Sequence, residues 1–135
     1  MAGVLFLCVA NSARSQLAEA IARHLSSDVE MWSAGSHPSH VRPQVFTVLH
    51  EEGIDASGLR SKGLLDIDLD EIDMVVTLCA EEKCPILPPN KVHVSWPLPD
   101  PASAPPDESL EAYRATRDEL LRRLPTLLND LSVKL

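Results

Sequence analysis

Short apolar runs alternate with helical patterns along the first part of the chain. Gly3 to Leu7 is an almost continuous apolar run, which is typical of a strand buried on both faces of a parallel sheet. From Leu17 to Leu25 apolar residues recur at every fourth position, which predicts a helix over Arg14 to Leu25. A second strand is predicted over Glu30 to Ser33, and segment 34–38, with its glycine and proline, predicts the turn that ends it.

The alternation continues through the second part of the chain. Pro43 predicts the first turn of a helix that ends before Gly53. Two further strands are predicted, over Asp73 to Leu78 and over Val92 to Trp96. Because strands alternate with helices, we expect an α/β fold. It would be a single three-layer domain over residues 1–135, with helices flanking a four-stranded parallel sheet and right-handed crossovers.

A stripe of apolar residues predicts a long last helix from about Ser109 to Leu131. Pro125 lies inside this stripe. Because proline removes a backbone donor and clashes with the preceding turn, it predicts a kink or a restart of the helix. The arginines of this helix are expected on its solvent side: Arg117, Arg122 and Arg123.

Composition and charge restrict the class of protein. The chain of 135 residues is 44% apolar and 24% charged, which is typical of a globular protein. Its net charge of −8 argues against a general binder of nucleic acid or anionic membranes. The apolar segment Met1 to Ala10 lacks a basic flank, so we interpret it as a buried strand rather than a signal peptide. Three cysteines, an odd number, argue against a disulfide framework, so we expect a cytoplasmic protein whose thiols are available for chemistry. We also expect the protein to be a monomer.

The segment Cys8–Ser15, with the sequence CVANSARS, is the strongest candidate for a reactive site. Backbone N–H groups between a buried strand and a helix can form a nest for an oxyanion, to which Arg14 would add a guanidinium. The same positive field stabilises a thiolate at Cys8, and Ser15 can donate a hydrogen bond to it. The alternative is a buried structural cysteine with an arginine nearby by chance. The small residues between them favour an oxyanion-binding loop of Val9, Ala10, Asn11, Ser12, Ala13 and Arg14.

Two further cysteines follow the third predicted strand, at Cys79 and Cys84. Ligands bind at the carboxyl ends of parallel strands, so Cys8 and Cys79 are expected to face one site. The pair Cys79 and Cys84 can be two buried thiols or a redox pair, and a zinc site is less favoured because no further ligands stand at suitable spacing. Residues five apart in a helix have Cα atoms about 8–9 Å apart, whereas a disulfide needs about 4.4–6.8 Å. A helical segment here would therefore have to unwind before it could oxidise.

A proline-rich stretch carries the third candidate, Asp100, which precedes Pro101. A thiolate that attacks an oxyanion needs an acid to protonate the departing oxygen, and a carboxyl group on a stiff loop would serve. The alternative is an aspartate in an ordinary proline turn. Eight of the 11 prolines lie in this stretch: Pro85, Pro88, Pro89, Pro97, Pro99, Pro101, Pro105 and Pro106. The histidines match no metal-ligand spacing and are expected at the surface or in loops: His24, His37, His40, His50 and His93.

Taken together, these segments resemble the thioredoxin-coupled arsenate reductases that share the low-molecular-weight tyrosine phosphatase fold. The matching pieces run in the family's order through most of the chain: residues 8–19, 33–35, 53–55, 75–79, 84–90 and 100–101. The resemblance implies that arsenate binds in the loop, with phosphate or sulfate as analogues. It also implies a relay of three thiols that thioredoxin regenerates, for arsenic detoxification.

In the implied relay, the Cys8 thiolate attacks arsenic while Asp100 protonates the leaving oxygen. Cys79 then attacks Cys8 and releases arsenite, which leaves a Cys8–Cys79 disulfide. Cys84 attacks Cys79 and moves the disulfide to Cys79–Cys84, where thioredoxin reduces it. Arg14 and Ser15 complete the implied catalytic set.

The chain departs from the family pattern at three positions. Ala10 stands where the family has glycine, so a positive φ there would strain the loop. Ala13 stands where a further cysteine is common, outside the relay. Some members hold potassium through an Asn, a Glu, a Ser and an Asp. Asn11, Glu19 and Ser33 match these, but Lys62 takes the aspartate position. Its ammonium could replace the cation, so we expect no potassium requirement and no bound metal.

Two other classes of function remain open at the sequence level. A low-molecular-weight phosphatase acting on phosphotyrosine or another phosphomonoester would share Cys8, Arg14, Ser15 and Asp100. It would not need the other two cysteines, and it would be expected to have aromatic residues beside the Asp-Pro pair, where Ala102 follows. Weak phosphatase activity is expected as a side reaction of a reductase. A redox-sensing or anion-binding module without turnover is the second alternative.

Overall fold

The computed structural model describes residues 2–79 and 91–133, with side chains up to residue 131. Cys84 and three of the prolines named above lie outside the described residues. The strands and α-helices are β1 (Ala2–Cys8), α1 (Arg14–Leu25), β2 (Val29–Gly35), α2 (Pro43–Glu51), β3 (Met74–Cys79), β4 (Val92–Leu98) and α3 (Ser109–Val133). Short 3-10 turns occupy Leu64–Asp66, Leu69–Glu71, Pro101–Ser103 and Pro106–Glu108.

The four strands form one parallel sheet in the order β2-β1-β3-β4. Every residue of the two central strands, β1 and β3, is buried, as their apolar runs predict. The predicted α/β fold with a four-stranded parallel sheet is therefore confirmed. Because all four strands run the same way, their carboxyl ends lie at one edge of the sheet.

The edge strand β4 is longer than the sequence pattern predicts. It continues past Trp96 to Leu98, which pairs with Cys79, and it includes Pro97. An edge strand tolerates proline because one side of its backbone does not have to donate to a neighbouring strand. The ladder between β3 and β4 is irregular between Thr77 and Cys79, close to the carboxyl ends of both strands.

The two faces of the sheet carry cores of different size. The larger core packs side chains of α1, α2 and α3 against one face, with Phe6, Leu17 and Leu120 fully buried in it. The smaller core lies on the other face, where Leu5 and Val75 pack against residues of the segment 64–72. Within the described residues, 3-10 turns rather than α-helices cover this second face.

The helix α3 runs through Pro125 as one helix, so of the two predicted effects of this proline the restart does not occur. Arg117, expected at the solvent side, is only 6% exposed and donates to the backbone oxygen of Val48 at 2.9 Å and to Glu51 at 2.8 Å. That prediction is wrong because the Glu51 carboxylate and the Val48 carbonyl oxygen of α2 bind the guanidinium where α3 packs against α2. Within the described part of the chain, no helix has the length and apolar character needed to cross a membrane.

Candidate active site

Cys8 is the last residue of β1, and Arg14 is the first residue of α1. The five residues between them form a tight loop at the carboxyl edge of the sheet. A cavity of about 120 Å³ opens above it, and seven residues line this cavity: Cys8, Val9, Ala10, Ser12, Ala13, Arg14 and Asp100. Pockets for drug-sized ligands are usually about 300–1,000 Å³, so this cavity has the size for a small ion.

The carbonyl groups of the loop all accept hydrogen bonds from outside it. The donor–acceptor pairs are His37 N to Val9 O (2.8 Å), Ser39 N and Ser61 Oγ to Ala10 O (3.1 and 3.0 Å), Gln16 Nε2 to Asn11 O (3.0 Å), Arg42 N to Ser12 O (3.0 Å) and Leu17 N to Ala13 O (2.9 Å). Each peptide unit is planar and trans, so its N–H points opposite to its carbonyl. The outward carbonyls therefore direct successive N–H groups towards the cavity, which is the arrangement of an anion-binding nest.

Asn11 supplies the backbone conformation that closes the loop. Its φ of 48° lies in the left-handed region, and among the described residues it is the only non-glycine residue with a positive φ. Asparagine adopts this conformation more readily than most residues do. The strain expected at Ala10 is therefore absent, because the left-handed residue is its neighbour.

The Asn11 side chain also orients the nucleophile. Its Oδ1 accepts from the backbone N–H of Lys62 at 2.7 Å, which fixes which end of the amide is the oxygen. Its Nδ2 consequently donates to Ser15 Oγ at 2.7 Å. Ser15 Oγ lies 2.8 Å from Cys8 Sγ, so its hydroxyl can donate to the sulfur once Cys8 is a thiolate and has no proton of its own. The geometry thus suits a Cys8 thiolate stabilised by a hydroxyl donor.

Arg14 and Asp100 also line the cavity. The Arg14 side chain is 3% exposed, and its guanidinium donates to the backbone oxygen of Leu98 at 3.1 Å and to that of Leu78 at 3.4 Å. Its NH2 group lies 4.0 Å from Asp100 Oδ2. Asp100 Oδ1 accepts from the backbone N–H of Ala102 at 3.0 Å, and the carboxyl group is one-third exposed. The structure therefore brings together a thiol, a guanidinium and a carboxyl group around one small cavity.

Cys79 is buried at the end of β3, beside the strand that carries Cys8. Its Sγ lies 4.0 Å from the carbonyl oxygen of Leu7, the residue before Cys8. The two cysteines thus end neighbouring strands, as the sequence predicts. Cys84, the third cysteine of the expected relay, lies outside the described residues.

Several supporting residues were not predicted from the sequence pattern. Gly35 faces the loop so closely that a Cβ there would lie 2.5 Å from Val9 O and 2.8 Å from Asn11 N. Gln16 is fully buried. Its Nε2 donates to both oxygens of Asn11 and to the backbone oxygen of Arg60. Ser61 reaches the loop from far along the chain. Their partners are distant in sequence, so no local pattern marks them.

The residues that resemble a potassium site hold a lysine ammonium instead. Ser33 Oγ donates to Glu19 Oε1 at 2.8 Å, and Lys62 Nζ lies 3.5 Å from each of these two oxygens. Lys62 Nζ also donates to Arg60 O at 2.9 Å. The ammonium thus lies beside the oxygens that would bind a potassium ion. Elsewhere in the described residues, no cluster of three or more His, Cys, Asp or Glu side chains could hold a metal ion.

The fold and the loop together define a family. The family model described as low molecular weight phosphotyrosine protein phosphatase matches residues 3–135, and the chain belongs to this family.

Its close relatives within the family are arsenate reductases. The chain is 38% identical over 128 residues to the arsenate reductase of Halalkalibacterium halodurans, covering 91% of this chain and 92% of that protein. It superposes on a solved arsenate reductase in a phosphate-binding state with a TM-score of 0.83 and 32% identity, covering 97% and 99% of the two chains. A thioredoxin-dependent arsenate reductase of Corynebacterium glutamicum has a TM-score of 0.75 and 31% identity, covering all of this chain and 64% of that one. The resemblance predicted from the motifs is confirmed.

Proposed function

We propose that this protein reduces arsenate to arsenite in the cytoplasm by a relay of three thiols that thioredoxin regenerates. The observation that carries the proposal is the small nest in which Cys8, hydrogen-bonded to Ser15, faces Arg14 and Asp100. The similarity to arsenate reductases supports the choice of oxyanion, and the thioredoxin-dependent relative supports the choice of reductant.

In the first step, arsenate occupies the nest, and the loop N–H groups and Arg14 hold its oxygens. The Cys8 thiolate attacks arsenic and forms a sulfur–arsenic bond. One arsenic–oxygen bond breaks, and the departing oxygen leaves as water with a proton delivered by Asp100. The product is a covalent adduct in which arsenic is still As(V).

In the second step, the Cys79 thiolate attacks Cys8 Sγ. A Cys8–Cys79 disulfide forms while the sulfur–arsenic bond breaks, and the electron pair of that bond stays on arsenic, which leaves as arsenite. The two thiols are thus oxidised by two electrons as As(V) is reduced to As(III). The position of Cys79 beside Leu7 supports this step.

In the third step, the Cys84 thiolate attacks Cys79 and releases Cys8 as a thiolate, leaving a Cys79–Cys84 disulfide. The dithiol of thioredoxin then reduces this disulfide and is itself oxidised. The cycle leaves the nest ready for another arsenate ion.

The direct test is arsenate-dependent oxidation of NADPH with thioredoxin and thioredoxin reductase, run beside hydrolysis of an aryl phosphate. We expect many turnovers of NADPH and slow hydrolysis, because none of the seven described residues that line the nest is aromatic. Fast hydrolysis without arsenate-dependent oxidation would make the protein a phosphatase. A single equivalent of arsenite without further turnover would make it a redox-sensing module.

The relay itself predicts the behaviour of a Cys84→Ser variant. It should form about one equivalent of arsenite and then stop with a Cys8–Cys79 disulfide, because the third thiol is missing. Arsenite yield and mass spectrometry of disulfide-linked peptides measure this, and Cys8→Ser, which should form none, is the control. Normal turnover of Cys84→Ser with thioredoxin would contradict the three-thiol relay.

A further inference from the structure

A buried charged cluster contacts the oxyanion loop at Asn11 but does not line the cavity. Glu19 is 1% exposed and Lys62 is 8% exposed. Glu19 Oε1 contacts Ser33 and Lys62, and Glu19 Oε2 pairs with Arg23 NH1 at 2.9 Å. The carboxylate therefore has two cationic partners, of which Lys62 is the buried one.

A buried ion pair is weak evidence that this cluster serves stability. Removing two charges from water costs several kcal/mol, and well-packed apolar residues are often as stable as a buried ion pair. Burial lowers the pKa of Lys62, and the Glu19 carboxylate opposes that change and favours the charged ammonium. We therefore expect the buried Lys62 ammonium to hold neighbouring residues in position.

Hydrogen bonds connect Lys62 to the nucleophile through Asn11 and Ser15. Its Nζ is tied to Glu19, Ser33 and the carbonyl oxygen of Arg60, so both ends of the residue are fixed. Its backbone N–H then donates to Asn11 Oδ1 at 2.7 Å. The Asn11 amide, in turn, donates from Nδ2 to the Ser15 hydroxyl, which contacts Cys8 Sγ.

We propose that the Lys62 ammonium is a built-in cation that positions segment 60–62, and through it Asn11 and Ser15, for oxyanion binding and for thiolate stabilisation at Cys8. Lys62 is a positioning residue and does not touch the bound anion. The inference rests on the proposed function in that it takes the loop as an oxyanion site. Its readouts, phosphate binding and Cys8 alkylation, do not require arsenate reduction.

The test compares Lys62→Ala with the unaltered protein in potassium chloride and in choline chloride at equal ionic strength. Inorganic phosphate affinity is measured by calorimetry, and Cys8 reactivity is measured as the rate of alkylation by iodoacetamide at pH 7. In choline chloride, Lys62→Ala should bind phosphate about 10-fold more weakly and alkylate more slowly, an effect typical of lost positioning contacts. Potassium should restore both, because the variant leaves the oxygens of Glu19, Ser33 and Arg60 without their ammonium. The unaltered protein should behave alike in both salts.

Three further variants make the outcome specific. Lys62→Met fills the same space without charge, so it should be impaired and potassium should not restore it. Lys62→Arg keeps the charge and should retain most of the affinity. Lys91→Ala removes a lysine that directly precedes β4, at the amino ends of the strands and so away from the loop, and should change neither readout.

Two results would overturn the proposal. The first is wild-type phosphate affinity and alkylation rate for both Lys62→Ala and Lys62→Met in choline chloride. The second is an equal loss in both salts for Lys62→Ala with an unchanged circular dichroism spectrum, which would leave Lys62 a merely structural residue. If Lys62→Ala does not fold, wild-type behaviour of the volume-conserving Lys62→Met overturns the proposal and its impairment upholds it. Failure of arsenate reduction alone would count against the proposed function and not against this inference.

Discussion

The candidate site depends on a few single residues. Asn11 has two functions in it, since its backbone closes the loop and its side chain binds Ser15. Its left-handed backbone conformation would cost an ordinary residue about 1–2 kcal/mol. Its buried side chain forms hydrogen bonds with Lys62, Gln16 and Ser15. The sequence predicted Cys8, Arg14 and Asp100 because their chemistry is visible in their residue types. It did not predict the donors to the loop carbonyls, because a backbone N–H at position 37, 39 or 42 has no signature in residue type.

The hydroxyl group of Ser15 contacts Cys8 Sγ and also accepts from Asn11 Nδ2, and the first contact should set the reactivity of the sulfur. In Ser15→Ala the Cys8 thiolate loses a donor at 2.8 Å. A hydrogen bond to a charged group contributes about 1.5–3 kcal/mol, so we expect alkylation of Cys8 at pH 7 to slow by about 10- to 100-fold. Stopped-flow alkylation with iodoacetamide measures this, and Ser27→Ala, at an exposed site, is the control. An unchanged rate would remove Ser15 from the catalytic set.

At the scale of elements, the end of β2 limits how the loop can pack. Gly35 lies against the backbone of Val9 and Asn11, whereas Gly63, its bridge partner, has only ordinary contact distance to Pro38. We expect Gly35→Ala to lower the free energy of unfolding by about 1–3 kcal/mol and to weaken phosphate binding, because the loop must move. Gly63→Ala, with no positive φ to strain it, should be close to neutral in urea unfolding. Equal stability of the two variants would contradict the close packing.

The contact between α2 and α3 should make stability depend on acid pH. Arg114 and then Arg117 hold the pKa of Glu51 at about 2, below its ordinary value of 4.5. A carboxylate with a lowered pKa contributes stability that is complete above pH 4.5 and is lost as the pH falls towards 2. At pH 7, Glu51→Gln should therefore have a lower urea midpoint of unfolding than the unaltered protein. The difference between the two midpoints should shrink as the pH falls towards 2. Because the group is partly exposed, added salt should reduce the difference.

The control for this prediction is Glu108→Gln, an exposed glutamate in a 3-10 turn. Its urea midpoint should follow that of the unaltered protein over the whole pH range. A constant difference between Glu51→Gln and the unaltered protein at pH 7 and pH 2 would assign the effect to lost packing rather than to charge.

For the whole molecule, the net charge of −8 opposes the binding of an anion at long range. The nest must therefore act through close, directed donors. A ligand that binds only the folded state stabilises it by about 2.7 kcal/mol at 100 times its dissociation constant. We expect inorganic phosphate to raise the urea midpoint beyond the effect of sodium chloride at equal ionic strength. Arg14→Lys, which lacks the planar fork, should lose most of this shift. An equal shift in both proteins would indicate a general salt effect.

Most of the fold could be predicted from the sequence, because the buried central strands are short apolar runs and the helices show regular spacing. The errors came from contacts between elements. Arg117 was expected in solvent because a single helix pattern does not show the carboxylates that α2 brings to it. The end of β4 was missed because Pro97 usually ends a strand, and only the edge position of β4 makes it acceptable. The candidate catalytic residues were predicted from the chemistry of their side chains, but the residues that form hydrogen bonds with the loop were not.

The outward carbonyls of the loop mean that its anion-binding ability cannot be transplanted. A peptide of residues 6–18, or the same stretch grafted onto another strand–helix junction, would carry every side chain of the loop. It would lack the donors at 37, 39, 42, 61 and 62, which come from two other segments of the chain. Designers who wish to borrow this nest would have to import the surrounding connections with it.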